Sequence, residues 1–388
     1  MYVNTGQMEV AKGTISKAKN PLNTAKSEVN SIKAPSDFSK KAKLKSASRH
    51  FESAIKNVRS MELIIDVKIR EFIRMEKSNN QMSNGLTYRD KDILRILFGT
   101  SYSARNKYYD KNEIMKRLED LATTSPYYRA ILDEVNNSIK TDKNTNILKV
   151  IKKCKEKVDT KGKNGTYTSV SGKTYNLYLQ TSPAPWANDR YGDKNYFWND
   201  ACGPTALAIV LSAYNNKITP KSVQERTNEL ILSRKIQEQP DGRNASYYGN
   251  LKEVANSYGL DLTAKTYEME YNGSTVSDSR KKDIISVLKK GGAVIEIASP
   301  AANNSNIKDP KKVNYTDVGH FIAILDYRTK NENGKKVSEV YVAHGTAGQT
   351  TETSKTKKSY GWANIDDVLN LESNLSNGGN RYLVINPK

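Results

Sequence analysis

Cysteine and histidine are scarce: the 388 residues contain two cysteines, Cys154 and Cys202, and three histidines, His50, His320 and His344. The two thiols lie in unlike surroundings and neither falls in a CxxC spacing, which excludes a disulfide framework and a thiolate-type structural zinc site. No metal and no cofactor is expected. Long apolar runs are also missing. The longest, Ala206 to Leu211, is far short of the roughly 18 residues that a membrane-spanning helix needs. The amino terminus, MYVNTGQMEVAKG, has no basic start leading into an apolar stretch and a small-residue cleavage site, so no conventional secretory signal is expected. That leaves export by another route or a cytoplasmic location. Acidic residues are few in the first part of the chain: residues 1–165 carry 34 Lys and Arg against 19 Asp and Glu, a net of +15 out of the total +20. Those lysines are spread along helical faces without interleaved aromatics or a recognition motif. They read as a solvated surface rather than as a nucleic-acid interface.

What is present is enough chain for at least two folded units. A polar, weakly periodic stretch from Gln7 to Ile32, interrupted by Pro21, is followed by a break at Ala34–Asp37. Apolar residues then recur at helical spacing from Phe38 to Lys77. Together these predict a helical hairpin over 1–77, with so little apolar surface that it calls for a partner helix or subunit. A second helical module is expected over 78–154, with Pro126 opening one of its helices. The charged stretch 155–174 reads as a linker. Beyond it, short β-rich runs (Tyr175–Leu179, Ala293–Ala298, His320–Arg328, Glu339–Ala343, Tyr382–Ile385) mix with helical runs without regular alternation. The expected class is α+β around an antiparallel sheet, preceded by an all-α module.

Cys202 stands before Gly203-Pro204-Thr205-Ala206-Leu207, a helix opening with proline in its first turn. Unpaired amides and the partial positive charge at such a start lower a thiol pKa and favour the thiolate. His320 begins a run that is apolar on both alternating faces, as in a buried central strand. Asn333-Gly334 signals a hairpin to the next strand. A hairpin centred near residue 332 sets His344 opposite His320, close enough for one side chain to orient the other. Nucleophile, base and orienting group are the parts that cysteine acyl transfer requires. Trp186, Trp198 and Trp362 are expected to pack the core or line a cleft, Cys154 to be a helix-face cysteine without a role, and His50 to face solvent.

The segment YLQTSPAPWANDRYGDKNYFWNDACGPTALAIVLSAYNN, from Tyr178 to Asn215, resembles the start of the bacteriocin-processing-type (peptidase C-thirty-nine-like) cysteine peptidases. The likeness continues through Lys289-Lys290-Gly291-Gly292 and Gly319-His320-Phe321-Ile322, over about 175–388. It implies a papain-like cysteine peptidase domain acting on a peptide or protein through a thioester. Cys202 would be the nucleophile, His320 the general base and Gln180 an oxyanion donor beside the Cys202 amide. Relatives have Asp or Asn followed by Pro where this chain has His344-Gly345. The third role then falls to His344, Asp317 or Asn364; Asp326 lies too far along the strand. The hairpin at 1–77 also resembles the helical targeting modules of type VII secretion substrates, although their WxG or LxG turn is absent. That implies an exported bacterial effector or toxin whose residues 1–77 meet a helical partner or a secretion machinery. An inactive peptide-binding module, a basic nucleic-acid-binding protein, and deamidase or transpeptidase chemistry are the alternatives.

Overall fold

The computed structural model describes residues 5–32, 43, 45–58, 61, 91–98, 111–139, 146–192, 195–239, 242–272, 275–300, 305–316, 318–346, 360–371 and 381–388. The chain divides into two compact units, Met1–Tyr88 and Arg89–Lys388. In the first, α1 (Thr5–Ser31) continues through Pro21, and residues 45–58 are helical. Asn30 accepts from Ser48 at 3.0 Å and Lys26 pairs with Glu52 at 3.0 Å, so the two helices lie antiparallel. Their side chains are mostly exposed, and His50 faces solvent. The rest of the expected Phe38–Lys77 helix and most of the stretch 78–110 lie outside the described residues.

The second unit opens with helices α2 (Lys91–Phe98), α3 (Lys111–Thr124), α4 (Pro126–Ile139) and α5 (Ile147–Thr160). The Asn146 side chain caps α5 by accepting from the amides of Leu148 and Lys149, which satisfies donors that a helix start leaves open. The stretch expected as a linker, 155–174, is instead built into the unit. Its first part completes α5, and β1 (Lys163–Thr168) pairs with β2 (Thr174–Tyr178) as an antiparallel hairpin. The polar composition misled because the exposed arm of this hairpin is fastened by side-chain hydrogen bonds: Asp326 accepts from the Tyr167 hydroxyl at 2.7 Å and the Val170 amide at 2.8 Å. Its apolar burial comes from β2, where Tyr175, Leu177 and Tyr178 are buried. Gly162, between α5 and β1, lies so close to Trp186 that a Cβ there would come within 2.2 Å of the indole.

The remaining elements are α6 (Cys202–Leu211), α7 (Pro220–Leu232), α8 (Tyr248–Ser257), β3 (Leu262–Glu268), α9 (Asp278–Lys289), β4 (Ala293–Ala298), β5 (His320–Glu332), β6 (Lys335–Ala343), β7 (Tyr360–Asn364), α10 (Ile365–Leu369) and β8 (Arg381–Pro387). Six strands form one antiparallel sheet in the order β7-β6-β5-β4-β8-β3. The mixed helix-and-sheet class and the antiparallel pairing follow the sequence expectation, while α7, β3, β7 and α10 were not anticipated. One sheet face carries Val294, Ile322, Ile324, Val340, Val342 and Val384, which pack with Ile284 and Leu288 of α9 and with Val368 and Leu369 of α10. On the alternate face, Phe321 meets the Tyr248 ring of α8 edge-on, with centroids 5.1 Å apart. Every residue of α6 from Gly203 to Leu211 is buried, as befits a helix that is apolar all round.

The β5–β6 turn is Asn333-Gly334, both at positive φ (51° and 77°), the conformation that a two-residue hairpin of matching twist demands. Pairing runs Glu332↔Lys335 at the turn. It shifts by one residue between Tyr341↔Asp326 and Val342↔Ile324, leaving Leu325 as the extra residue of a bulge. The expected register is therefore corrected. The turn sits at 333–334 and, with the bulge, the ladder continues toward Ile322 opposite His344, so His320 is its diagonal neighbour on the same face.

Helices 111–160 are tied to the rest of the unit by a buried charge network. The Asp189 carboxylate, 1% exposed, accepts from the Ser125 hydroxyl at 2.9 Å and the Tyr127 amide at 3.0 Å at the start of α4. It also pairs with Lys221 of α7 at 2.5 Å. A buried ion pair of this kind adds little over an apolar equivalent, but removal of one partner strands the other. Asp189→Ala is expected to destabilise the unit by about 3–5 kcal/mol, read from urea unfolding of the full chain. A loss below about 1 kcal/mol, the range of a surface pair, would show that Asp189 does not hold α4.

Candidate functional site

The expected nucleophile is the first residue of α6, and its surroundings are fixed from three directions. The turn before it is held where the Ser246 hydroxyl donates to the Asp200 carbonyl at 3.1 Å and Arg243 pairs with the Asp200 carboxylate at 3.0 Å. Gly203 permits the close approach of residues 245–246, since a Cβ there would stand 2.1 Å from the Ala245 carbonyl oxygen. The third contact comes from the sheet: the backbone amide of Phe321, next to His320, lies against the Cys202 sulfur. The helix start and the histidine strand thus meet at the thiol. The thiol contacts the Asp200 carbonyl at 3.9 Å and, among the described residues, makes no hydrogen bond to His320.

The electrostatics differ from the expectation of a lowered thiol pKa. Burial pushes the Cys202 thiol above its ordinary value. The Phe321 and Gly203 amides oppose that, and the Asp200 carboxylate adds to it. The helix start therefore acts, but desolvation outweighs it. Burial also holds His320 down to about 4. Both partners rest uncharged near neutral pH.

His320 and His344 are each 4% exposed. Their rings meet edge-to-face with centroids 5.6 Å apart, and Nε2 of each is buried without a hydrogen-bond partner. His344 Nδ1 lies 2.8 Å from the Thr346 hydroxyl, and the Tyr315 ring is 4.9 Å away on its other side. Gln180, 1% exposed, donates from its side-chain amide to the Trp198 carbonyl at 2.9 Å and from its backbone amide to the Gly345 carbonyl at 2.9 Å. Its Oε1 is buried without a partner. Gly345 is glycine because a Cβ there would come within 2.8 Å of that oxygen and 2.9 Å of the Thr205 methyl on α6. The His344-Gly345 pair thus brings the β6 exit against both Gln180 and the helix that Cys202 opens.

The other candidates separate from this cluster. Asn364 uses its side chain to cap α10 at the Asp366 amide, at 2.8 Å. Asp326 is committed to the β1–β2 hairpin, and Asp317 lies outside the described residues. Cys154 is buried on α5 with its sulfur 3.6 Å from the Ser138 hydroxyl. Trp186 is in the core and Trp198 is 41% exposed, whereas Trp362 is half-buried beneath Arg328, 4.1 Å from its ring. Thr346, Tyr315 and Gly345 escaped the sequence reading. Only the unusual His-Gly following the strand hinted at the last. Among the described residues, no group of three His, Cys, Asp or Glu side chains is arranged to hold a metal ion, and no helix is long and apolar enough to cross a membrane.

A cysteine at the start of a buried helix and a histidine at the start of the strand packed on that helix are parts of thiol-based acyl transfer. Residues 183–368, just under half of the chain, match the Peptidase_C39 like family, a family of peptidases. The match spans Cys202, His320 and His344 and begins just after Gln180. No curated protein matches the chain.

Two measurements follow from the burial. With Cys154 replaced by serine, the pH midpoint of Cys202 alkylation by iodoacetamide is expected above the roughly 8.5 of a free thiol; a midpoint well below it would reveal a resting ion pair. A histidine of ordinary value 6.5 when unfolded and about 4 when folded takes up its proton only on unfolding between those pH values. Stability is therefore lost as pH falls through that window, by about 3 kcal/mol at most for this group. Urea unfolding at pH 7 and pH 4.5 should show a smaller acid loss in His320→Gln than in the wild type, and equal losses would place His320 in a solvated setting.

Proposed function

We propose that this chain is a papain-like cysteine peptidase in which Cys202 attacks the substrate carbonyl and His320 serves as general base. The single observation that supports this reading best is the packing of β5, which His320 opens, on α6, which Cys202 opens. With both groups neutral at rest, the thiol proton passes to His320 as the sulfur attacks, rather than beforehand. The oxyanion of the tetrahedral intermediate would be met by the Cys202 backbone amide and by the Gln180 side-chain amide, whose second N–H is not used by the Trp198 carbonyl. His320 then protonates the leaving amine, the thioester forms, and water releases the acyl product. His344, whose ring meets that of His320 edge-to-face, would take the orienting place. The unit Met1–Tyr88 would serve a helical partner or an export apparatus, as in a secreted bacterial effector.

A second reading is favoured by a specific observation. A thiol raised by burial beside a histidine lowered by burial suits a domain of the same fold that binds peptides without cleaving them. The two are separated on a quenched-fluorescent peptide library with the full chain. For a peptidase, Cys202→Ala abolishes cleavage, Cys154→Ser leaves it intact, and Gln180→Ala lowers kcat by about 10²–10³-fold, the cost of one oxyanion donor. Peptide binding without cleavage in the wild type, surviving Cys202→Ala, would establish the binding module instead.

A further inference from the structure

Trp186 is wholly buried, and its one polar side-chain atom is paired. The indole N–H donates to the Leu179 carbonyl at 2.8 Å, on the peptide unit that joins Leu179 to Gln180. The N–H of that same unit donates to the Gly345 carbonyl at 2.9 Å. A peptide group is planar, so these two bonds, one at each pole, fix its rotation and with it the direction in which the Gln180 side chain departs. The Leu179 amide adds a third hold, on the Gly162 carbonyl at 2.9 Å. At the far end, the Gln180 side-chain amide donates to the Trp198 carbonyl at 2.9 Å, and the Trp198 amide donates to the Ala187 carbonyl at 2.9 Å. Ala187 follows Trp186 in the chain. The hydrogen bonds therefore close a circuit that leaves Trp186, passes through Leu179, Gln180 and Trp198, and returns to Ala187.

Oε1 of Gln180 is buried without a partner, so the set of this carboxamide rests on the Trp198 bond and on the backbone behind it. The Trp186 ring has little freedom of its own. Its centroid lies 6.0 Å from that of Tyr178, 6.3 Å from Tyr127 and 6.4 Å from Phe197, and Gly162 is seated against its six-membered ring. Without the indole N–H, the carbonyl of buried Leu179 would lose this donor, and a buried carbonyl left unpaired is costly. The peptide would turn to relieve that cost and carry Gln180 with it. Gln180 in turn abuts the first turn of α6, because a Cβ on Gly345 would meet both its Oε1, at 2.8 Å, and the Thr205 methyl, at 2.9 Å. We infer that Trp186 is a positioning residue: its indole N–H holds the 179–180 peptide so that the Gln180 carboxamide stays aimed at the opening of α6. This deepens the peptidase reading and depends on it for the role of Gln180 as oxyanion donor.

The test replaces Trp186 in the full chain with β-(3-benzothienyl)alanine, which keeps the shape of the indole and carries sulfur in place of the N–H; Trp186→Phe is its natural-residue counterpart. In ¹H–¹⁵N spectra of protein labelled at glutamine, the Gln180 side-chain amide is assigned by its loss in Gln180→Ala. It is expected to shift in the isostere and to exchange with solvent at least tenfold faster. On a peptide that the wild type cleaves, kcat is expected to fall about tenfold with KM unchanged, less than for Gln180→Ala because the donor is displaced rather than removed. In the Gln180→Ala background the isostere is expected to cost nothing further, whereas a residue that only supports the fold would subtract independently. An unmoved Gln180 amide, an unchanged kcat, or losses that multiply across the two changes overturns the inference. The isostere decides this even if Trp186→Phe fails to fold. Because the amide is read without substrate, the two failures are distinguishable. Cleavage with an undisturbed amide in the isostere sinks the role of Trp186 alone. A displaced amide in a chain without cleavage upholds the hold on Gln180 and removes the peptidase reading.

Discussion

Burial of α6 against the sheet is the constraint on which the rest of this domain depends. The helix from Gly203 to Leu211 has no solvated face, and it can be so enclosed only because its neighbours leave room: Ala323 and Ala343 are paired on adjoining strands, and Gly203 and Gly345 admit backbone and side chains where a Cβ would collide. Close packing of this kind tolerates little adjustment. The position of Cys202 is therefore set by the helix as a whole, and the β6 exit at His344-Gly345 is pressed against the same helix through Thr205.

The same burial governs the electrostatics. Elsewhere in this unit Asp189 has Lys221 and two donors from the start of α4, and Lys155 has Asp159 at 2.6 Å, which in turn accepts from Tyr127 at 2.8 Å. Among the described residues no ion pair involves Cys202, His320 or His344, and these groups shed charge instead: the thiol is driven up and both histidines down. In a neutral cluster hydrogen-bond polarity, rather than ion pairing, is the factor that orders it.

The two regimes are joined by the backbone between them. Asp189 accepts from the Phe197 amide at 2.8 Å, Ala187 accepts from the Trp198 amide at 2.9 Å, and the Trp198 carbonyl holds Gln180. Helices 111–160 thus reach the Gln180 side-chain amide through a chain of short hydrogen bonds, although they precede the part of the chain that matches the peptidase family.

Much of this was legible in residue order. The apolar run Ala206–Leu211 behind a Gly-Pro opening announced a buried helix led by Cys202, the doubly apolar run after His320 a central strand, and Asn333-Gly334 its hairpin, because each signal is local and rests on backbone preferences or burial period. The boundary at 155–174 was misread because composition cannot distinguish a solvated linker from a polar strand that pairs with a buried one and is tied to a distant carboxylate, Asp326. The register was missed by two residues because the hairpin turn lies at Asn333-Gly334 and not at a centre near 332, an offset of three that the bulge at Leu325 reduces by one. The thiol pKa was misjudged because the helix start is visible in sequence and desolvation is not. Residue order therefore determined which side chains stand at element ends, where chemistry is accessible. The tertiary structure alone decided their protonation, their partners and the neighbour of Gly345, since these depend on what surrounds each group in space.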